Sequence, residues 1–405
     1  MHIKCTNGTP TLDTLDHLPP LPLFIDYWYT MRGVTILTEK DELGIYHALL
    51  LRDRVYHIAL SLPPSILHKM SVLLRGQFPI LEYLSLMSST SSNSLPPTLW
   101  LPRTFLGPNL RHLALPSINP PRRLRFLTFT LSLVTLELSG IQALSYVRPR
   151  LLVARLQSLP LLEELFVGFS TPIPRPSAER ELLGEQGAPV TLSSLKKLRF
   201  KGVGTYLESL AAQIRVPLLK QLLITLFNQL TFALPHTFRL INTTTEVFRL
   251  RTAVIYFSYN EVSLSTAHQW RDETPFLFRV ICGRLDWQIG CAAQICDALI
   301  PTLSDVERFR LTYFHTKIPT ALRNGRIDAT TWHELLRSFM GVKELYIEKE
   351  LSDELSRALE LGEVGLDPGF LPNLRTINAA DNRFTAFLYT RRVVGRPVQF
   401  SQRRY

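Results

Sequence analysis

The chain has 405 residues, 46% hydrophobic, 20% charged and 10% aromatic, with 19 glycines, 28 prolines and a formal charge of +11. That mix excludes a disordered tail, a collagen-like rod and a disulfide-stapled miniature; the length suits two or three domains or one long repeat array. Cys5, Cys282, Cys291 and Cys296 are too few for a disulfide framework in so long a chain.

In chain order, the stretch from Met1 to Thr6 has no apolar core of a secretory signal. The longest uncharged apolar-looking stretch, Phe126 to Leu136, falls short of the about 20 residues that a membrane-spanning helix needs. A soluble cytoplasmic or nuclear protein is expected. Residues 1–38 read as an N-terminal segment, a degenerate remnant. Thr38 then caps a helix over residues 39–51.

From Val55 onward a short pattern recurs: apolar, two variable residues, apolar, one variable residue, apolar. It reads Val55-Ile58-Leu60, Leu81-Leu84-Leu86, Leu110-Leu113-Leu115, Leu133-Leu136-Leu138, Leu162-Leu165-Val167, Leu195-Leu198-Phe200 and Leu219-Leu222-Ile224. It returns as Val306-Phe309-Leu311, Val342-Leu345-Ile347 and Leu374-Ile377-Ala379. Start-to-start spacings are 26, 29, 23, 29, 33, 24, 87, 36 and 32. The long gap is close to three ordinary spacings, which predicts two degenerate units with strands in Ala253–Phe257 and Phe276–Cys282.

Helical spacing precedes many of these triplets, in Pro63–Arg75, Arg148–Leu156, Leu207–Ile214, Ala292–Leu299, Trp332–Phe339 and Asp353–Leu361. Thr330 and Thr331 are read as caps of the fifth run. Pro79, Pro108, Pro160, Pro217 and Pro372 lie two residues before a triplet and separate helix from strand. One such unit cannot bury its apolar face alone, whereas stacked units can. The expected fold is therefore α/β, a leucine-rich-repeat solenoid: a curved parallel β-ribbon with helices on its convex side, about 10–12 irregular repeats over residues 39–390, followed by a basic tail, 391–405. The Asn common at the ninth repeat position is replaced by Ile118, Ile141, Val203 and Phe227, which predicts an apolar turn.

The runs Leu62–His68, Gly107–Pro116, Arg148–Arg155, Glu181–Gly187, Thr331–Arg337 and Arg391–Val398 resemble the repeat region of F-box and leucine-rich-repeat proteins of mushroom-forming fungi. The resemblance covers about residues 18–400 and rests on packing motifs. It implies a repeat array that presents a protein substrate, with an N-terminal F-box docking on a Skp1-type adaptor of a ubiquitin ligase. The nearest F-box match, Leu18-Pro-Pro-Leu-Pro-Leu-Phe24, lacks the signature acid, and Pro20 and Pro22 interrupt it. No complete F-box is visible, so the adaptor is not a firm expectation.

Chemistry is absent from the pattern. There is no Gly-x-Ser-x-Gly elbow, no phosphate-cradling glycine loop and no His-Glu-x-x-His pair. The cysteine spacing does not suit zinc and reads as small buried hydrophobes; neither metal nor cofactor is expected. His57 and His112 fall at concave positions and read as surface histidines, His333 as a structural one. The chain is not read as an enzyme.

What remains is surface. Outward strand positions supply the candidate concave partner-binding residues Tyr83, His112, Glu164, Phe166, Lys197, Arg199, Lys201, Arg308, Arg310, Glu344, Tyr346 and Glu348, with Ser85 and Glu137 beside them. Two loops, 88–98 and 171–190, break the rhythm and are either flaps or tolerated insertions. Residues 83–162 hold eight basic side chains against one acid, and residues 388–405 hold five against none. These segments keep nucleic-acid binding as the alternative to protein binding, and a salt-steep affinity would mark it.

Overall fold

The computed structural model describes residues 2–8, 15, 19–28, 37–88, 105–120, 124–142, 145–170, 188–227, 229–244, 251–266, 274–313, 329–365 and 371–402. Both rhythm-breaking loops fall largely outside these residues, as do Arg103, Arg122, Arg123, Arg403 and Arg404. The chain divides into two units, Met1–Gly202 with Ser209–Leu218 and Val203–Glu208 with Leu219–Tyr405.

The first unit carries strands β1 (Ile3–Cys5), β2 (Leu23–Trp28), β3 (Val55–Leu62), β4 (Tyr83–Ser88), β5 (His112–Ala114), β6 (Thr135–Ile141), β7 (Glu164–Phe169) and β8 (Lys197–Gly202). They lie side by side in chain order, and every pairing between them is parallel. The segment read as a remnant, 1–38, thus supplies two strands of this ladder. All six apolar triplets of this unit are buried. Full burial of each such side chain stabilises by about 1.5–3 kcal/mol, which offsets the ordering entropy that a single repeat could not.

A fixed polar device joins successive repeats. The carbonyl of the residue after the first triplet position accepts two N–H groups from the next repeat. Glu82 O accepts from Arg111 and His112 at 2.8 and 3.0 Å, and Glu163 O from Lys196 and Lys197 at 2.8 and 2.9 Å. At two of the triplets of this unit the preceding residue also reaches back, to the carbonyl two residues before the previous triplet. Asn109 Nδ2 donates to Pro79 O at 2.5 Å and Ser194 Oγ to Pro160 O at 2.7 Å. Backbone groups at the strand entrances are thereby paired without a continuous Asn ladder. The apolar turn holds at Ile118 and Ile141, both buried. One polar rung exists beside them: Asn119 Oδ1 accepts the Gln142 N–H at 3.0 Å.

Helices pack behind the ladder. Glu39–Leu50 begins at Thr38 as expected, closed by a reciprocal box in which Thr38 Oγ1 accepts from the Asp41 N–H and Asp41 Oδ2 accepts from the Thr38 N–H. Pro64–Leu73 and Pro149–Leu156 start on proline, whose missing N–H costs nothing in the first turn.

The second unit carries β9 (Gln221–Phe227), β10 (Thr252–Phe257), β11 (Glu261–Ser265), β12 (Phe276–Ile281), β13 (Arg308–Tyr313), β14 (Glu344–Ile347), β15 (Thr376–Ala379) and β16 (Gln399–Gln402). The two strands expected in the long gap are present as β10 and β12. Their arrangement corrects the expectation of uniform stacking, because the order is β9–β12–β11–β10–β13–β14–β15–β16. The chain skips ahead to β10, folds back as an antiparallel hairpin into β11, and only then lays β12 beside β9. A tight Ser258–Glu261 turn drives this: the Ser258 N–H donates to Glu261 O at 2.9 Å. From β10 onward the pairings are parallel again.

The later triplets are buried, with Phe309 stacked on Phe339 at 3.9 Å between ring centres. The helix Ala329–Arg337 starts upstream of the expected run, so Thr330 and Thr331 lie in its first turn and not at its cap. The segment read as a basic tail continues the helix Thr385–Val393 and then adds β16. Arg391, counted from the sequence with a basic surface segment, is only 1% exposed; its guanidinium lies 5.3 Å from the Phe387 ring centre and donates to Leu371 O at 3.3 Å. This unit is a mostly parallel sheet with helices, and so is the first. The fold is a leucine-rich-repeat solenoid.

Candidate functional site

Because alternate strand residues share a face, burying each triplet turns the residues between its members outward. In the first unit these outward residues form rows across the ladder. Phe24, His57, Tyr83, His112, Thr135, Glu164 and Lys197 stand in register on successive strands. The first three stack, and the fourth lies tilted against the third. Phe24 and His57 lie 5.1 Å apart at 9°, His57 and Tyr83 4.1 Å apart at 6°, and Tyr83 and His112 5.9 Å apart at 38°. Burial among these rings holds the His57 imidazole below its ordinary pKa, against the opposing pull of Asp26. His57 is therefore neutral near pH 7 and acts as an aromatic plate.

At the other end the row becomes ionic. Lys197 pairs with Glu164 at 2.7 Å, and Lys196 pairs with Glu163 at 2.6 Å one position earlier. The next row places Ser85, Ala114, Glu137, Phe166 and Arg199 in register. Lys201 is exposed opposite Gly168. Tyr83 and His112 are thus brought together, as are Glu164 with Lys197 and Phe166 with Arg199. The basic strand Lys197-Arg199-Lys201 is less positive in place than in sequence, because Glu164 offsets its first member.

In the second unit Arg308 stands opposite Glu344 and Arg310 opposite Tyr346. The Arg310 guanidinium lies 5.1 Å from the Tyr346 ring centre, and Tyr346 Oη donates to Glu344 Oε2 at 2.7 Å. Glu348 Oε2 accepts the Tyr313 N–H at 2.6 Å, and burial raises its carboxyl pKa despite that bond. Thr252 and Thr266 join Arg308, Arg310 and Tyr346 around one recess. Sequence spacing did not point to either threonine, because only the hairpin register brings them there. Phe24 was missed likewise, since no strand was assigned before Val55.

Elsewhere the side chains serve packing. All four cysteines are free and buried, and burial pushes the Cys5 thiol up to about 11. His333 Nε2 bonds the Ala358 carbonyl beside the fully buried Trp332. Among the described residues no group of three or more His, Cys, Asp or Glu side chains could hold a metal ion, and no helix is long and apolar enough to cross a membrane.

No family model and no curated protein matches the chain. Among solved structures it is similar to the TLR13–ssRNA13 complex, at 13% identity and a TM-score of 0.38 over 96% of this chain and 48% of that one. It is similar also to the leucine-rich repeat-containing protein LegL7 from Legionella pneumophila, at 12% identity and a TM-score of 0.30 over 94% of this chain and 91% of that one. The chain spans about half the length of the first of these.

Proposed function

We propose that the chain is a non-catalytic scaffold that binds a protein partner through the outward rows of its ladders. In the finer form of this reading it is the substrate-presenting part of an F-box-type ubiquitin-ligase receptor, as its sequence resemblance implies. The observation that carries the scaffold reading is the row Phe24-His57-Tyr83-His112, four rings in register on adjacent strands and bordered by the Glu164–Lys197 pair. Rigid aromatic groups beside charged ones are the residue types that dominate interface energetics, with hot spots worth about 2 kcal/mol or more on truncation. Positive charge is weaker support for the nucleic-acid alternative, because Lys196 and Lys197 are both ion-paired and Arg391 is buried.

The test is affinity capture from native cells with the full chain, with Tyr83→Ala/His112→Ala and Lys197→Glu/Arg199→Glu/Lys201→Glu as controls. Capture of one protein set by the native chain and its loss in either variant supports the scaffold. Capture unaltered in both variants removes these rows as the binding surface. Co-purification of a Skp1-type adaptor with ligase subunits supports the receptor form, and clean purification without them removes that form alone.

A further inference from the structure

A recess of about 270 Å³ lies on the outward face of the second unit, lined by Thr252, Thr266, Arg308, Phe309, Arg310 and Tyr346. The hairpin builds it. β11 runs antiparallel to β10 with Ser265 opposite Val254, so the next residue, Thr266, comes alongside the start of β10 near Thr252. β13 then follows in parallel, with Arg308 opposite Thr252 and Arg310 opposite Val254. Alternate residues of one strand share a face about 6.8 Å apart, which sets two guanidinium groups over one small area. Phe309 between them points into the core.

Three features of this recess go together. The Tyr346 ring lies against Arg310 and is itself held by its bond to Glu344, so the arginine is positioned before any ligand arrives. The hydroxyl Oγ1 of Thr266 is buried and has no hydrogen-bond partner among the described residues; such a group is rare unless something else supplies the partner. Among the described residues no acid lines the recess, although acids stand around it: Glu344 holds the Tyr346 hydroxyl, Glu348 holds the Tyr313 N–H, and Glu307 is paired with Lys343 at 2.6 Å.

We propose that this recess receives a phosphate monoester carried on a side chain of the partner protein, a deepening that rests on the scaffold reading. Two arginine forks and a hydroxyl suit the three free oxygens of a phosphate, whereas one fork already satisfies a planar carboxylate. A nucleic-acid backbone is the poorer fit. Its charges are spread along a track, and here Glu344 stands opposite Arg308 and Glu348 follows just beyond Tyr346, two carboxylates that repel neighbouring phosphates. The same carboxylates favour basic residues beside the phosphorylated one.

The test is calorimetric titration of the full chain with N-acetyl-O-phosphothreonine amide, its unphosphorylated form, N-acetyl-glutamate amide, inorganic phosphate and a single-stranded oligonucleotide. The phosphorylated amide is expected to bind at least tenfold more tightly than every other probe, and more weakly as pH falls through about 6, where the monoester loses its second charge. Arg308→Ala and Arg310→Ala should each weaken it at least tenfold, Arg308→Lys by somewhat less, and Thr266→Val about fivefold, with circular dichroism and melting unchanged. Equal binding of the glutamate amide, of inorganic phosphate or of the oligonucleotide overturns the proposal, as does indifference to both arginine substitutions. Partner capture that survives Arg308→Ala/Arg310→Ala but not Tyr83→Ala/His112→Ala sinks the recess and keeps the scaffold. Phosphothreonine-amide binding by a chain that captures no protein sinks the scaffold reading and leaves an anion site.

Discussion

The two units solve the same packing problem with different topologies. In the first, neighbours in sequence are neighbours in the sheet, so each outward row can be followed from strand to strand by adding one repeat length. In the second, β10, the strand paired with Arg308 on one side, is separated from it along the chain by two strands, β11 and β12. Regular stacking gives the first unit continuous rows and side-chain pairs that bridge repeats, such as Glu164–Lys197. The hairpin gives the second unit a local seam in which residues unrelated by the repeat period face one another. The lesson is that a repeat period determines the buried layer in both units, but it determines the surface only where the chain order is kept.

The step shared by the units can be broken where it is tightest. Gly341 occupies the position before a triplet, where Asn109, Ser194 and Asn373 elsewhere donate to the preceding repeat. It has no side chain to donate, and its backbone instead packs on the Ser304 carbonyl, into which a Cβ would run. Gly341→Ala is expected to cost about 3 kcal/mol, as overpacking against backbone does. Asn109→Ala removes one exposed hydrogen bond and should cost about 0.5–1 kcal/mol. Denaturant midpoints of the two variants check this, and equal midpoints would mean that the close step at Gly341 relaxes freely.

The hairpin itself has a buried pin. Gln288, fully buried on the helix Leu285–Ala298, donates from Nε2 to Ser258 O at 2.8 Å and to Cys282 O at 2.9 Å. Gln288→Ala orphans two carbonyls at the hairpin turn and the end of β12 and should cost about 2 kcal/mol. Hydrogen exchange should then quicken in β10 and β11 while the first unit keeps its protection. Uniform quickening across both units would refute the pin.

The sequence was legible where burial enforces a period. The triplets, the helix after Thr38 and the strands β10 and β12 follow from apolar spacing and caps. β2 was not legible: Leu23, Ile25 and Tyr27 alternate as a strand should and are buried, but the prolines just upstream mask the signal. β11 was hidden because an antiparallel strand need not carry the repeat pattern, and Glu261-Val-Ser-Leu-Ser265 does not. The site follows the same division. Tyr83 and His112 were visible as outward positions, whereas Phe24, which stacks on His57 at the start of their row, and the recess residues Thr252 and Thr266 depend on strands or registers that spacing does not encode. Arg391 shows the converse error, since charge counted along a segment says nothing about which helix face is buried.

A smaller effect tests the cap of the first unit. Burial raises the Asp41 carboxyl pKa, but hydrogen bonds from the Thr38 hydroxyl, the Gly8 N–H and the Thr38 N–H outweigh it and hold the group below its usual value. A carboxyl depressed on folding stabilises above its unfolded pKa of about 3.9, and the contribution is lost as pH falls through the folded value. Thr38→Ala should cost about 1 kcal/mol at pH 7. Asp41→Asn should destabilise at pH 7 and approach the native chain below about pH 4. A gap between Asp41→Asn and the native chain that stays constant into acid would place the effect in packing and not in charge.

The smallest expected effect belongs to the most conspicuous ion pair. Lys197 and Glu164 are 2.7 Å apart, yet their side chains are 44% and 41% exposed. Water screens such a pair and ordering two long side chains costs entropy, so a double-mutant cycle of Lys197→Ala and Glu164→Ala should give a coupling of about 0.5 kcal/mol or less, vanishing in high salt. The pair then contributes little to folding: breaking it exposes a lysine or a carboxylate in the row of outward residues without loosening the ladder. A coupling well above 1 kcal/mol that persists in salt would instead make this pair a structural brace, and charge reversal at Lys197 could no longer be read as a change in the binding surface alone.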